Sequence, residues 1–281
     1  MKIGRFPHIV VTSFVLACPF ALASGQAGVR TGQPERAAPL DDLRRVGARY
    51  QYDNVSDVDP FQDATVEYAE RLPIGTIVVD LNAARRYGTL GTQGELQAYP
   101  HLGRHSYVFL DVAASSSKDV FLPLRLSAEP YYNWPNGWEM SAGAQYLRTP
   151  GSAADLYTYT GTVAKYFGNY WISARPTYTP SQASDSYGWG VTARRYFSDR
   201  YDYAALSLSR NVGIDPSETD PAILTRPPKL GTYTVSLDRR QPIGRTRSRA
   251  VYGIGYQREE IAPARFRLHR TATFGLEWFI P

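Results

Sequence analysis

Apolar and polar side chains alternate one by one over stretch after stretch of this chain, and a period of two restricts it to strands whose faces meet different surroundings. Trp138, Met140, Ala142, Ala144 and Tyr146 share one face of a segment whose other face carries Glu139, Ser141, Gly143 and Gln145. Leu122, Leu124, Leu126, Ala128, Pro130 and Tyr132 alternate in the same way with Arg125, Ser127 and Glu129. Fourteen such segments are expected, near 46–53, 63–71, 76–87, 92–100, 105–113, 122–132, 137–148, 155–167, 170–179, 186–197, 203–212, 231–241, 248–260 and 266–280. Soluble sandwiches alternate too, but their strands average about five or six residues, whereas many of these reach about ten, the length that crosses a bilayer at a tilt. The expected fold is all-β: a transmembrane antiparallel up-and-down barrel of about 14 strands, or about 12 if weak segments within 63–100 merge.

The N-terminus fixes the compartment. Lys2 and Arg5 precede an apolar run from Ile9 to Ala23, and Ala21-Leu22-Ala23 offers a cleavage site, so residues 1–23 are expected to be a secretory signal peptide. Cys18 follows Leu16-Ala17 as a lipid-modified cysteine would, but the apolar run continues through Phe20, Ala21 and Leu22, and the cysteine is read as part of that run. It is the single cysteine, so disulfides and sulfur-held cofactors are excluded from the exported chain. Residues 24–45 lack any period and are expected to be a periplasmic lead-in to a barrel over 46–281. Loss of Lys2 and Arg5 lowers the formal charge of +5 to about +3, no footprint for nucleic acid. A hydrophilic average beside 21 Tyr, 11 Phe and 5 Trp suits a wall that is apolar outside, polar inside and belted with rings.

The connections alternate in kind. Those near 72–75, 101–104, 133–136, 168–169, 198–202 and 242–247 are short and carry turn formers, which makes them the expected periplasmic turns if both termini are periplasmic. Those near 54–62, 88–91, 114–121, 149–154, 180–185 and 213–230 are the expected outer loops. The last holds Pro216, Pro221, Pro227 and Pro228 and is read as a surface loop or lid. The final segment places Ala272, Phe274, Leu276, Trp278 and Ile280 on one face, an aromatic strand suited to the barrel-insertion machinery.

The run Gly161-Thr-Val-Ala-Lys-Tyr-Phe-Gly-Asn-Tyr-Trp-Ile-Ser-Ala-Arg-Pro176 resembles the distinctive motif of the YaiO family of outer-membrane β-barrels. Asp119-Val-Phe-Leu-Pro123, Ser141-Ala-Gly-Ala-Gln-Tyr-Leu147 and Arg194-Arg-Tyr-Phe197 resemble further family positions, and the likeness spans roughly 44 to 281. It implies an integral barrel of the Gram-negative outer membrane and, for members with helical repeats ahead of the barrel, a part in exopolysaccharide export; no such repeats are seen here. Within the motif, Gly168-Asn169 supplies two residues that tolerate positive φ for a two-residue hairpin, and Tyr170 and Trp171 are expected at a membrane interface.

No constellation for catalysis is present. His8 lies in the expected signal peptide, His101 and His105 flank a turn, and His269 falls on the expected lumen face beside Arg267 and Thr271 without a Ser/His/Asp cluster. The sequence shows no His/Cys cluster, and Asp53, Asp57 and Asp59 are expected in a solvated outer loop where a weak surface Ca²⁺ site is the sole metal alternative, so no metal and no cofactor is expected. The lumen face is expected to carry Arg49, Glu67, Asp80, Arg86, Asp111, Arg125, Glu129, Glu139, Arg175, Arg194, Asp238, Arg267 and Glu277, charges of both signs that suit an ion-paired filling. Tyr99, Tyr107, Phe109, Tyr131, Tyr166, Trp171 and Tyr196 share that face, where ring planes could stack on a passing sugar or simply fill gaps. Arg125, Glu129, Tyr131, Trp171, Arg175, Arg194 and Tyr196 are the candidate ligand-binding set, with no catalytic residue among them. The expected partners are outer-membrane lipid, lipopolysaccharide, the insertion machinery and a polysaccharide. The expected role is a channel or accessory in polysaccharide export or solute passage, with a plugged structural or adhesive barrel as the alternative and a membrane-embedded hydrolase third.

Overall fold

The computed structural model describes residues 44–117, 119–150, 155–181, 185–213 and 230–280. The expected signal peptide, the lead-in up to residue 43, most of the 213–230 connection and Pro281 lie outside them. The strands are β1 (Arg44–Val55), β2 (Phe61–Leu72), β3 (Gly75–Arg86), β4 (Thr89–Pro100), β5 (Ser106–Ser115), β6 (Leu124–Asn133) and β7 (Trp138–Arg148), followed by β8 (Leu156–Phe167), β9 (Tyr170–Thr179), β10 (Ser186–Tyr196), β11 (Tyr203–Val212), β12 (Gly231–Pro242), β13 (Ser248–Ala262) and β14 (Arg265–Ile280). Each pairs antiparallel with its neighbours in sequence, and β1 pairs with β14 to close the barrel, so the count is fourteen and not twelve.

The expected segments and the strands coincide closely, with two informative differences. β1 starts at Arg44, ahead of the alternation that begins at Val46, because Arg44 and Arg45 continue the ladder opposite Ile280 and Phe279. β6 starts at Leu124; Leu122, which shares its apolar period, lies ahead of the strand and is buried with Leu147 and Leu156.

The period of two becomes an inside and an outside. Leu81, Leu96, Val112, Leu126, Leu206, Leu237 and Ile254 are exposed on the outer surface, and Ile254 keeps 62% of its area open. Such a continuous apolar surface would be a liability in water and is the lipid-facing band of a membrane-crossing barrel. Rings flank it. Trp138, Phe167, Tyr170 and Trp278 lie toward the end that holds Arg44 and Ile280, the turn end, while Tyr157, Tyr187, Trp189 and Tyr233 lie toward the opposite, loop end. Outward charges such as Arg44, Lys165, Arg195, Arg210 and Arg258 sit toward strand ends, where a charge costs least.

Two loop-end carboxylates tie this belt to the backbone. Asp155 accepts the Tyr146 hydroxyl at 2.5 Å and the Thr149 N–H at 3.2 Å, and Asp185 accepts the Tyr178 hydroxyl at 2.9 Å and the Ser181 N–H at 3.2 Å. These donors hold both carboxyls below the usual carboxylate range, the tyrosine hydroxyl being the larger cause in each case.

The hairpin between β8 and β9 uses positive φ at Gly168 (54°) but not at Asn169. That is the φ pattern of a II′ turn, which needs glycine only at its first central position, rather than the doubly positive pattern expected from the Gly-Asn pair. Pro130 and Pro176, which lack a donor, stand where the β6–β7 and β8–β9 ladders are interrupted.

Ile254 lies in mid-strand, opposite Leu237 and Ala272. Ile254→Arg is expected to destabilise the barrel by about 2–4 kcal/mol, read from denaturant titrations in lipid vesicles. Unchanged stability would show that this face does not meet hydrocarbon.

Candidate functional site: the barrel interior

Inward side chains enclose a cavity of about 250 Å³. The strand order sets β2–β5 across from β9–β12, and the two walls differ in sign. Asp63, Glu67, Asp80, Glu95 and Asp111 line the first, with Arg45 and Arg49 of the adjacent β1 at its edge, and Arg175, Arg194 and Arg240 line the other beside Asp238. A low-dielectric wall would leave these charges costly if unmatched, and most are matched. Arg125 bonds Asp111 and Glu95, each at 2.9 Å, Arg86 bonds Asp63 at 3.2 Å, Arg45 pairs with Glu67, and Arg240 with Glu277. Arg175 reaches Glu129 at 2.5 Å and Tyr131 at 3.3 Å, while Glu129 also accepts from Ser141 and from Thr162 at 3.4 Å. Among the described residues Arg49 forms no ion pair and acts on Glu67, Asp80 and Asp238 at longer range.

Both ends of the cavity are narrowed. At the turn end, Tyr107 stacks on Tyr131 with centroids 4.7 Å apart, Tyr99 packs on Phe109 at 5.4 Å, and Tyr166 on Trp171 at 6.2 Å. Arg194 joins this layer, its guanidinium 5.0 Å from the Trp171 ring and 4.4 Å from Tyr203. The rest of the opening is filled from the 197–202 turn, whose Tyr201 packs edge-on against Phe279 at 4.7 Å with the Arg240 guanidinium 4.9 Å away. Asp199 to Arg249 at 2.7 Å and Asp202 to Arg239 at 2.6 Å hold that turn in place.

At the loop end, Val120 and Phe121 fold inward and bury against Ala84, and Phe121 reaches the cavity wall. The connection expected as an outer loop therefore fills part of the mouth. Gly91 makes the approach possible, because a Cβ there would stand 2.5 Å from Cβ of Val120.

The candidate residues divide by height in the barrel. Arg125, Glu129, Arg175 and Arg194 line the cavity; Tyr131, Trp171 and Tyr196 face inward but lie in the ring layer beneath it. Of the seven rings assigned to the lumen face, Phe109 is the one on the cavity wall. The inward charges are placed as expected, but the rings form a floor instead of a track.

Asp53 departs from its expected loop position. It is in β1, 1% exposed, and stands 3.7 Å from Nδ1 of His269, whose Nε2 lies 2.7 Å from Glu259. Three strands bring this trio together: the β13–β14 hairpin sets Glu259 beside His269, and the closing register Val55 to His269 adds Asp53 of β1. Among the described residues no His, Cys, Asp and Glu group is arranged to hold a metal.

A sequence model of the YaiO membrane beta barrel domain matches residues 43–218. The chain belongs to the YaiO family. Its fold is shared with outer-membrane barrels at very low identity. A "Bacterial polysaccharide outer membrane secretin" superposes with TM-score 0.52 and 9% identity over 86% of this chain and 99% of that one. OpdQ of Pseudomonas aeruginosa gives 0.49 and 6% over 85% and 98%, and OmpT of Vibrio cholerae 0.44 and 9% over 84% and 96%. Comparison with curated proteins gives no match. In this YaiO-family barrel, Glu129→Ala leaves Arg175 without its carboxylate and is expected to destabilise by about 3–5 kcal/mol. Glu70→Ala, which frees the exposed Arg44, is expected to change stability by less than about 1 kcal/mol. Equal effects in the same denaturant titration would argue against an electrostatically tight interior.

Proposed function

We propose that this protein is an integral outer-membrane barrel that passes polar solutes, a saccharide chain first among them, through a chamber held closed at rest. It performs no covalent chemistry, and its turn end faces the periplasm. The observation that carries the reading is the way the chamber ends: a polar cavity with opposed charged walls stops at a floor of side chains and one turn, and among the described residues no strand or helix crosses it. Side chains can move aside, and opposed charged walls orient dipolar solutes in a narrow lumen. The family resemblance and the polysaccharide secretin of like fold make a saccharide the first solute to test. His269 lies between two carboxylates, Glu259 at Nε2 and Asp53 at Nδ1, and not beside a hydroxyl nucleophile among the described residues, which disfavours an enzyme.

A sealed structural barrel is the second reading, favoured by the depth of the ring layer, where Tyr99, Tyr107 and Tyr131 are nearly inaccessible. Bilayer conductance separates the two. The conduit is expected to open rarely and briefly as wild type and to conduct steadily, at least about tenfold more of the time, as Tyr201→Ala. A barrel that folds yet stays electrically silent in both forms supports the sealed reading.

A further inference from the structure

The lipid-facing surface carries a basic band that the lumen does not explain. Arg210 of β11, Arg258 of β13 and Arg270 of β14 are exposed on the outer face near the loop end. The register sets Arg210 opposite Tyr233, Tyr233 opposite Arg258, and Tyr256 opposite Arg270. With strands about 4.8 Å apart, Arg210 and Arg258 stand roughly 10 Å from each other, and Arg270 lies one strand further on. Their immediate company is aromatic: the Arg210 guanidinium is 5.0 Å from the Tyr233 ring and that of Arg258 is 3.6 Å from Phe266.

Two comparisons within the molecule give the band its meaning. Inside, Arg45, Arg86, Arg125, Arg175 and Arg240 each have a carboxylate, whereas Arg210 and Arg258 take part in no ion pair among the described residues. The carboxylate on this face, Glu260, is turned to the backbone, accepting the N–H groups of Gly231 at 3.2 Å and Ala264 at 3.0 Å. Toward mid-barrel the same strands present Leu208, Val235, Ile254 and Phe274, all exposed. A surface that is acyl-compatible below and cationic above, level with tyrosine rings, matches an amphiphile with apolar chains and an anionic head.

We propose that this face is a binding site for a phosphorylated glycolipid of the outer leaflet, whose phosphates the guanidiniums of Arg210 and Arg258 grip while its acyl chains lie on β11–β14. Guanidinium matches phosphate with paired donors, and sugar hydroxyls fall at the height of Tyr233 and Tyr256. The proposal rests on the outer-membrane placement with the loop end outward; it does not depend on whether the lumen conducts.

Native mass spectrometry of the full mature barrel, with folding verified by heat-dependent mobility in SDS, tests it with three probes: diphosphorylated lipid A, the same lipid without phosphates, and phosphatidylglycerol. The wild type is expected to retain diphosphorylated lipid A at least about tenfold better than either other probe. Substituting glutamine at Arg210 and Arg258 together is expected to abolish that preference, while Arg85→Gln with Arg148→Gln, outward arginines elsewhere at the loop end, keeps it. Wild-type binding that is equal for all three probes overturns the proposal without any variant. Equal loss in the two variant sets, or a preference for phosphatidylglycerol, overturns it as well, since the band would then be a general anionic surface.

Discussion

Backbone amides and carbonyls cannot be left bare in hydrocarbon, and a sheet that crosses a bilayer satisfies all of them only by closing on itself. The β1–β14 ladder, running from Arg44 opposite Ile280 to Val55 opposite His269, is where this barrel meets that condition. Once it closes, every strand has a lipid side and a lumen side, and side-chain placement follows from parity. Leucine, valine and isoleucine occupy the outer band, rings take the interfaces, and charges at mid-strand are directed inward while outward ones keep to the strand ends.

Polar groups gathered in a narrow interior must then answer one another. Arg125 bridging Asp111 and Glu95 and Arg175 bridging Glu129 and Tyr131 convert what would be isolated buried charges into a wall. Their value lies in avoiding orphaned ions more than in net attraction, because desolvation offsets most of the Coulomb gain. The two rims solve a different problem. One is filled by stacked rings and Tyr201, the other by Val120 and Phe121, so the lumen narrows at both ends while its middle remains polar.

Much of this was readable in the sequence because lipid imposes a strict period that few other environments demand. Strand number, faces and nearly all inward charges follow from parity alone. What parity cannot supply is height along the barrel axis: Tyr131, Trp171 and Tyr196 face the right way but belong to the floor, since their distance from the strand ends decides whether they meet the cavity. Leu122 kept the period of β6 although the chain had already turned inward, for burial in a mouth and burial in a sheet select the same residue type. Asp53 was unreadable as a neighbour of His269 and Glu259, because that proximity exists only through the closing register between chain segments far apart in sequence.

That register also bears on assembly. The last ladder joins the first strand to the final one, so no partly delivered chain can complete the sheet, and until β14 arrives the edges of β1 and β13 remain open templates for unwanted pairing. Contacts spanning so much of the chain are slow to form unaided. The biogenesis of this protein is therefore governed by its C-terminal strand: a truncation there would release an adhesive ribbon rather than a slightly smaller barrel, and cellular quality control would meet it as an aggregate.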